Sequence, residues 1–325
     1  MPTVTQVKSL IRSHFSPNPE AFTTLVLQIA AHEASQGHGA VAVEIRDLLK
    51  QQQHLNASMP REFSLPKSME EFVFCEYPDI TMAQLVVPAP LRKRLERIMV
   101  EFRQREKLSE NGLQHRRRLL FNGPPGTGKT MTAKVLAHEL HLPLLIVKMD
   151  KIMSRYLGES GSHLHQIFDF IKTNTGVYLF DEFDSIGGDR GNDNDIGEMR
   201  RILNSFLAFM DQDKSNSLLI AATNNPRLLD QALCRRFDDV LYYPLPDALL
   251  CKAILQNLLA MNVQKTFAWD DLVAKCSGLS QAEITLACHD ALKEMILADK
   301  EWVTESDIVA AIEYRNEAKA AMRKG

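Results

Sequence analysis

Residues 123–130 read Gly123-Pro124-Pro125-Gly126-Thr127-Gly128-Lys129-Thr130 and satisfy the pattern G-x-x-x-x-G-K-[ST] at every fixed position. An apolar run, Leu119–Phe121, precedes this stretch, and a helical pattern extends from Lys129 to about Leu140. In this strand–loop–helix context, glycines let backbone N–H groups turn inward around phosphate oxygens, and the start of the helix adds a favourable dipole. The pattern therefore predicts a phosphate-binding loop rather than a chance glycine-rich turn.

The residues that end this loop have predicted roles. We expect Lys129 to reach the β- and γ-phosphates of a nucleotide and Thr130 to hold Mg²⁺. Met131 follows in the helix and is assigned, with residues 123–130, to the nucleotide-binding set. The expected ligands are ATP and Mg²⁺.

A second candidate site lies at Tyr178-Leu179-Phe180-Asp181-Glu182, where an apolar strand ends in two carboxylates. Open α/β sheets place ligands at the carboxyl ends of their strands. We expect Asp181 to orient Mg²⁺ through a water molecule, and Glu182 to polarise an attacking water as general base. A solvated acidic turn is the alternative, and the nearby phosphate loop argues against it.

The order of apolar runs and helical patterns predicts an α/β fold, a parallel sheet with flanking helices. The predicted strands are Leu119–Phe121, Leu142–Val147, Val177–Phe180, Leu218–Ala222 and Val240–Tyr243. From about residue 247 the pattern is helical only. The predicted domains are a helical N-terminal module at 1–53, a linker at 54–70, the α/β domain at 71–246 and a helical lid at 247–325.

Composition excludes several classes of protein. Among 325 residues, 38 basic and 41 acidic side chains give a net charge of −3, which argues against a globally basic nucleic-acid binder. The five cysteines form no C-x-x-C pair, so a disulfide scaffold or a zinc cluster is not expected. No run of about 18 apolar residues is present, so no membrane span is expected. The predicted location is the cytoplasm.

With both candidate sites placed, the chain resembles the AAA clade of the AAA+ ATPases from about residue 75 to 320. The phrases that carry the resemblance are Gly123–Thr130, Leu179–Asp184, Ala221-Ala222-Thr223-Asn224-Asn225-Pro226 and Leu233-Cys234-Arg235-Arg236-Phe237-Asp238. The resemblance implies ATP hydrolysis on a P-loop AAA+ sheet. It also implies that Asn224 is the sensor 1 residue, which helps to place the attacking water; the alternative is an ordinary turn-forming asparagine.

Arg235 and Arg236 match the arginine pair that such proteins present to a neighbouring subunit's nucleotide. A guanidinium stabilises the charge that spreads over the transferring phosphoryl group. The resemblance therefore implies a homo-oligomeric ring, usually a hexamer. The alternative is a surface pair that bridges to Asp238 or Asp239.

Two further segments resemble functional parts of the family. Arg155-Tyr156-Leu157 is similar to pore loop 1 of rings that thread proteins, although Tyr156 could instead pack into its own domain. Residues 278–284, Gly-Leu-Ser-Gln-Ala-Glu-Ile, resemble the start of the lid helix, with Gln281 where the family often has glycine. The same segment fits an ordinary helix cap, and the two interpretations are compatible.

The leading function is a single-ring ATPase that unfolds, threads or disassembles proteins, similar to katanin, spastin and fidgetin and to the ATPase module of FtsH. The motif H-E-x-x-H is absent, so the chain lacks the zinc protease part of FtsH. The alternative is a regulatory switch that gates a partner effector, such as the separate subtilisin-like serine protease of some short bacterial AAA proteins. A DNA-acting AAA+ protein is the third class, and no basic auxiliary domain supports it.

Overall fold

The computed structural model describes residues 65–152, 159–183, 193–225, 231–264 and 267–322, together with the single positions Val26 and Ala30. The chain divides into two compact units, residues 1–62 and 63–325, and the five described ranges belong to the second. The predicted helical module at 1–53 lies outside the described residues, apart from those two positions. Within the predicted linker, Lys67–Glu70 forms one helical turn with a buried Met69.

Eighteen elements are described in residues 65–322, and their bounds are as follows. They are α1 (Lys67–Glu70), β1 (Val73–Glu76), α2 (Ala89–Arg103), α3 (Arg105–Glu110), β2 (Arg118–Asn122), α4 (Lys129–Glu139), β3 (Leu144–Val147), α5 (Met149–Ile152), α6 (Glu159–Thr173), β4 (Val177–Phe180), α7 (Asp193–Gln212), β5 (Leu218–Thr223), α8 (Gln231–Cys234), β6 (Asp239–Tyr242), α9 (Ala248–Leu259), α10 (Trp269–Lys275), α11 (Gln281–Leu297) and α12 (Glu305–Met322).

The strands form one six-stranded sheet in the order β1-β3-β4-β5-β2-β6. Strands β2 to β6 run parallel to one another, whereas β1 pairs antiparallel with β3 at the edge. This arrangement confirms the predicted α/β fold class. Each of the five predicted strands is present, and β3 begins at Leu144 rather than Leu142. Pro143, which has no N–H to donate to a ladder, separates the two positions.

Alternate residues along each strand pack into two separate cores, one on either face of the sheet. Leu120, Phe180 and Ala221 pack on the face that α6 and α7 cover. Phe121, Leu179 and Ile220 pack on the opposite face, against α2 and α4. The parallel strands are therefore buried on both faces of the sheet, as is usual for parallel strands.

Helices are the only regular elements among the described residues from Ala248 onward. Helices α9 to α12 enclose a third hydrophobic core of their own, which includes Leu255, Ile284 and Ile312. Asp247 caps α9 by accepting a hydrogen bond from the Leu250 N–H at 2.9 Å. No helix among the described residues is long and apolar enough to cross a bilayer.

Candidate functional site

The phosphate loop, residues 123–128, connects β2 to α4 at the carboxyl edge of the sheet. In the sheet, β2 lies beside β5, and β5 lies beside β4. Because these three strands are parallel, their carboxyl ends meet at one edge. Asp181 directly follows β4 and Asn224 directly follows β5, and both side chains reach the first residues of α4.

Lys129 lies at this edge, and the residue is only 6% exposed. Its Nζ donates hydrogen bonds to the carbonyl oxygens of Gly123 at 2.7 Å and Pro124 at 2.9 Å. It also donates to Asn224 Oδ1 at 2.7 Å. The ammonium therefore joins the start of the loop to the end of β5, and it places a buried positive charge where an anion can bind.

Thr130 and Asp181 form an oxygen pair beside that lysine. Thr130 Oγ1 donates to Asp181 Oδ2 at 2.8 Å, and the Glu182 backbone N–H donates to Asp181 Oδ1 at 2.9 Å. A hydroxyl and a carboxylate are the ligands that Mg²⁺ accepts in nucleotide sites, where it keeps several waters and uses few protein groups. The donor set at Thr130 and Asp181 therefore fits Mg²⁺.

Glu182 has an unusual backbone conformation for a residue with a side chain. Its φ angle is 51°, in the left-handed region that costs an ordinary residue about 1–2 kcal/mol. The side chain is exposed, in contrast to the buried Phe180 and Phe183 on either side of the turn. Such strain at the end of a buried strand is typical of functional positions, where the fold holds a side chain in a particular direction.

The first glycine of the loop is required by the close approach of another backbone. A Cβ atom built on Gly123 would lie 2.1 Å from the carbonyl oxygen of Tyr243. Tyr243 is held there because its N–H donates to the Asn122 carbonyl at 2.7 Å, which continues the pairing of β6 with β2. Only a residue without a side chain fits between β2 and the end of β6.

The start of α11 packs directly on the phosphate loop, and sequence patterns alone did not predict this contact in detail. The Ala282 N–H donates to the Gly126 carbonyl at 3.0 Å. Gln281 Oε1 lies 2.9 Å from where a Cβ of Gly128 would stand. Ser280 also forms the predicted helix cap, because its Oγ accepts from the Glu283 N–H at 3.3 Å. The segment is thus both a cap and a cover for the loop.

Arg235 and Arg236 lie far from this edge in the same chain. They precede β6, whose first residue, Asp239, lies at the amino edge of the sheet. A strand of four residues spans roughly 13 Å, so the pair and the phosphate loop lie at opposite ends of β6. Both arginines are exposed, and Arg236 forms an ion pair with Asp211 rather than with Asp238 or Asp239.

Two predictions of site residues remain, one for Met131 and one for the pore loop. Met131 is partly buried and packs against the core beneath α4. The predicted pore loop, Arg155, Tyr156 and Leu157, lies outside the described residues.

Comparison with known proteins agrees with this geometry. The profile of the ATPase family associated with various cellular activities (AAA) matches residues 119–245, which begin within β2 and end just after β6. An uncharacterized AAA family ATPase of Sinorhizobium fredii is 33% identical over 322 residues, which cover 98% of this chain and 97% of the relative. The chain belongs to the AAA family of ATPases. As a member, this AAA ATPase hydrolyses ATP, with Mg²⁺ as the usual partner ion.

Two archaeal relatives match a smaller part of this AAA ATPase than the Sinorhizobium fredii protein does. A putative 26S proteasome regulatory subunit homolog of Methanothermobacter thermautotrophicus is 35% identical over 204 residues, or 61% of this chain and 55% of the relative. The proteasome-activating nucleotidase of Methanosphaerula palustris is 31% identical over 226 residues, or 67% of this chain and 55% of the relative. Each match spans about half of the relative's length.

The contact between Gly123 and Tyr243 yields a prediction about nucleotide use. We expect Gly123→Ala to lower kcat/KM for ATP by about 10²-fold, because the added methyl group must displace the loop or β6 by an ångström or more. Steady-state ATPase kinetics measure this effect, and circular dichroism verifies folding. The control is Gly161→Ala in α6, where nothing lies within 4 Å of the added methyl group. Unchanged kinetics for Gly123→Ala would contradict the required close approach.

Proposed function

We propose that this AAA ATPase is a ring-forming machine that uses ATP hydrolysis to remodel proteins. The observation that carries the proposal is the position of Arg235 and Arg236 at the sheet edge opposite the phosphate loop. The pair cannot reach its own chain's loop from there, so a finger role requires a second copy of the chain. The printed names of the two archaeal relatives refer to the proteasome, which supports a protein as the substrate.

We assign ATP binding to residues 123–131 and Asp181. The N–H groups of the loop and the start of α4 hold the phosphates, and Lys129 supplies the positive charge beside them. Thr130 and Asp181 would hold Mg²⁺. When bound, the ion neutralises the charge that develops on the phosphate oxygens.

Hydrolysis requires a group that takes a proton from the attacking water, and we assign that role to Glu182. Its exposed carboxylate follows Asp181 directly, and the left-handed backbone turns it away from the buried strand. Asn224 holds the Lys129 ammonium through Oδ1 and stands at the end of the neighbouring strand. We assign to its carboxamide the task of orienting the same water, since an amide can hydrogen-bond to water.

Arg235 and Arg236 complete the site from the neighbouring subunit. A guanidinium beside the transferring phosphoryl group can raise the rate by about 10³–10⁵-fold. A head-to-tail interface that repeats around a closed ring gives each loop one such pair. In a single chain, the Asp211 carboxylate holds Arg236 at the amino edge.

We assign contact with the protein substrate to Arg155, Tyr156 and Leu157. We assign recruitment of that substrate to residues 1–53. An aromatic and an apolar side chain can hold many different sequences through stacking and apolar contact. If the ATPase instead gates a partner effector such as a separate protease, Tyr156 has no such task. Its substitution therefore separates remodelling from gating.

The first prediction of this proposal concerns Glu182. We expect Glu182→Gln to bind ATP about as tightly as the wild type and to lower kcat by about 10²–10⁴-fold, because the amide cannot accept the proton. Phosphate release measures kcat, and displacement of a fluorescent ATP analogue measures affinity. Glu96→Gln on α2 is the control, since that side chain is also exposed. Normal turnover by Glu182→Gln would remove the general-base assignment.

The second prediction concerns the shared site. Arg235→Ala/Arg236→Ala and Lys129→Met are each expected to be inactive alone. When the two mix at random one to one, on average about a quarter of the interfaces combine an intact loop with an intact arginine pair. ATPase activity should therefore reappear on mixing, and remixing either variant with itself is the control. If verified mixed rings stay inactive, or if the arginine variant alone stays active, the finger assignment is wrong.

The third prediction tests protein remodelling directly. Tagged Glu182→Gln and Glu182→Gln/Tyr156→Ala are purified with ATP from the source cells, and co-purifying proteins are identified. For a remodelling ring, we expect substrates that are captured only when Tyr156 is present, with Tyr156→Phe as the conservative control. A single stoichiometric partner captured by both variants, and lost when residues 1–53 are deleted, would instead identify a gated effector.

A further inference from the structure

The helical domain holds the phosphate loop through a chain of polar contacts that we call the lid latch. Its members are Gly126, Gly278, Ser280, Ala282, Glu283 and Lys319. The latch begins on the last described helix, α12, and ends on the carbonyl of the loop residue Gly126. Each step of it is a direct contact between described residues.

Lys319 anchors the latch at its far end. Its Nζ donates to the Gly278 carbonyl at 2.8 Å and to Glu283 Oε2 at 3.0 Å. Gly278 has a φ angle of +81°, in the region that favours glycine, and it forms the turn before α11. The Lys319 and Glu283 side chains are each 28% exposed, so solvent only partly weakens the ion pair. Lys319 thus holds both the turn before α11 and its first helical turn.

Glu283 connects Lys319 to the first residues of α11 through hydrogen bonds. Its Oε2 accepts from the Ser280 N–H at 2.5 Å, while Ser280 Oγ accepts from the Glu283 N–H at 3.3 Å. Burial alone would raise the pKa of Glu283, but hydrogen bonds from Ser280 and Lys319 lower it below the usual range. The carboxylate is therefore charged at neutral pH, which strengthens its contacts with Ser280 and Lys319.

The latch reaches the phosphate loop at Ala282, whose N–H donates to the Gly126 carbonyl at 3.0 Å. In a planar trans peptide unit, the carbonyl of one residue and the N–H of the next point in opposite directions. The Gly126 carbonyl turned toward α11 therefore directs the Thr127 N–H away from the helical domain. The latch fixes the direction of one of the loop's N–H donors.

We propose that Lys319 is a positioning residue for nucleotide binding, which it supports by holding the start of α11 on the Gly126 carbonyl. The proposal rests on the assignment of residues 123–131 to the ATP site. The hydrogen bonds of Lys319 go to Gly278 and Glu283, not to residues 123–128. It acts through Gly278 and Glu283, so its loss loosens the turn that carries Ala282.

The test compares Lys319→Met and Lys319→Arg in the full chain. We expect Lys319→Met to raise the KM for ATP and the Kd for ADP by about three- to tenfold, which is less than the full effect of a lost charged hydrogen bond because Lys319 acts on the loop indirectly. The kcat at saturating ATP should stay within about twofold, because the reacting groups are untouched. Lys319→Arg keeps a charged donor and should restore most of the affinity.

The matched control is Lys275→Met. Lys275 Nζ forms a 2.8 Å ion pair with Glu313 of α12, but this pair lies between α10 and α12, and its contacts do not belong to the latch. We expect its KM for ATP to equal that of the wild type. Glu283→Gln provides a second variant, and its effect on KM should not add to that of Lys319→Met.

The possible outcomes separate the latch from the proposed function. A wild-type KM for Lys319→Met, or an equal rise in Lys275→Met, would overturn the role of Lys319 while the ATP site stands. A fall in kcat and in melting temperature without nucleotide, unrelieved by Lys319→Arg, would overturn it in favour of a purely structural role. If the wild type fails to bind ADP or ATP, the assignment of residues 123–131 fails first.

Discussion

The rest of the site depends on the hydrogen bonds of the buried Lys129 ammonium. Taking an ammonium out of water costs several kcal/mol unless hydrogen bonds replace the lost hydration. Here the Gly123 and Pro124 carbonyls and Asn224 Oδ1 replace it, which ties the loop to the end of β5. Because β4 lies on the other side of β5, the same constraint places Asp181 within reach of Thr130.

Strand β6 lies between the phosphate loop and the proposed arginine pair of the same chain. At its carboxyl end, the Tyr243 carbonyl abuts Gly123, and before its amino end stand Arg235 and Arg236. Closely packed interiors transmit strain rather than absorb it. Under the proposed ring arrangement, a displacement of the loop against Tyr243 would therefore be passed along a strand of four residues to the arginine pair.

The sequence predicted most of the fold but only part of the site, and the reasons are physical. Parallel strands buried on both faces read as continuous apolar runs, so β2 to β6 were found, whereas β1 alternates from the buried Val73 to the exposed Phe74 and was missed. Fixed spacing predicted Lys129 and Thr130 because one loop and one helix contain them. The left-handed Glu182 and the Gly126–Ala282 bond depend on packing between distant segments, which no local pattern encodes.

The contact between the helical domain and the loop differs in kind from the charged contacts elsewhere in the site. Residues 278–284 contain no arginine, so a guanidinium from this segment is excluded as the sensor of a phosphate. The segment instead contacts the loop through a backbone hydrogen bond from Ala282 and through the Gln281 carboxamide beside Gly128. A neutral contact of this kind responds to the shape of the loop more than to charge. The helical domain therefore contacts the loop without a charge of its own, and the ion pair between Lys319 and Glu283 lies behind that contact.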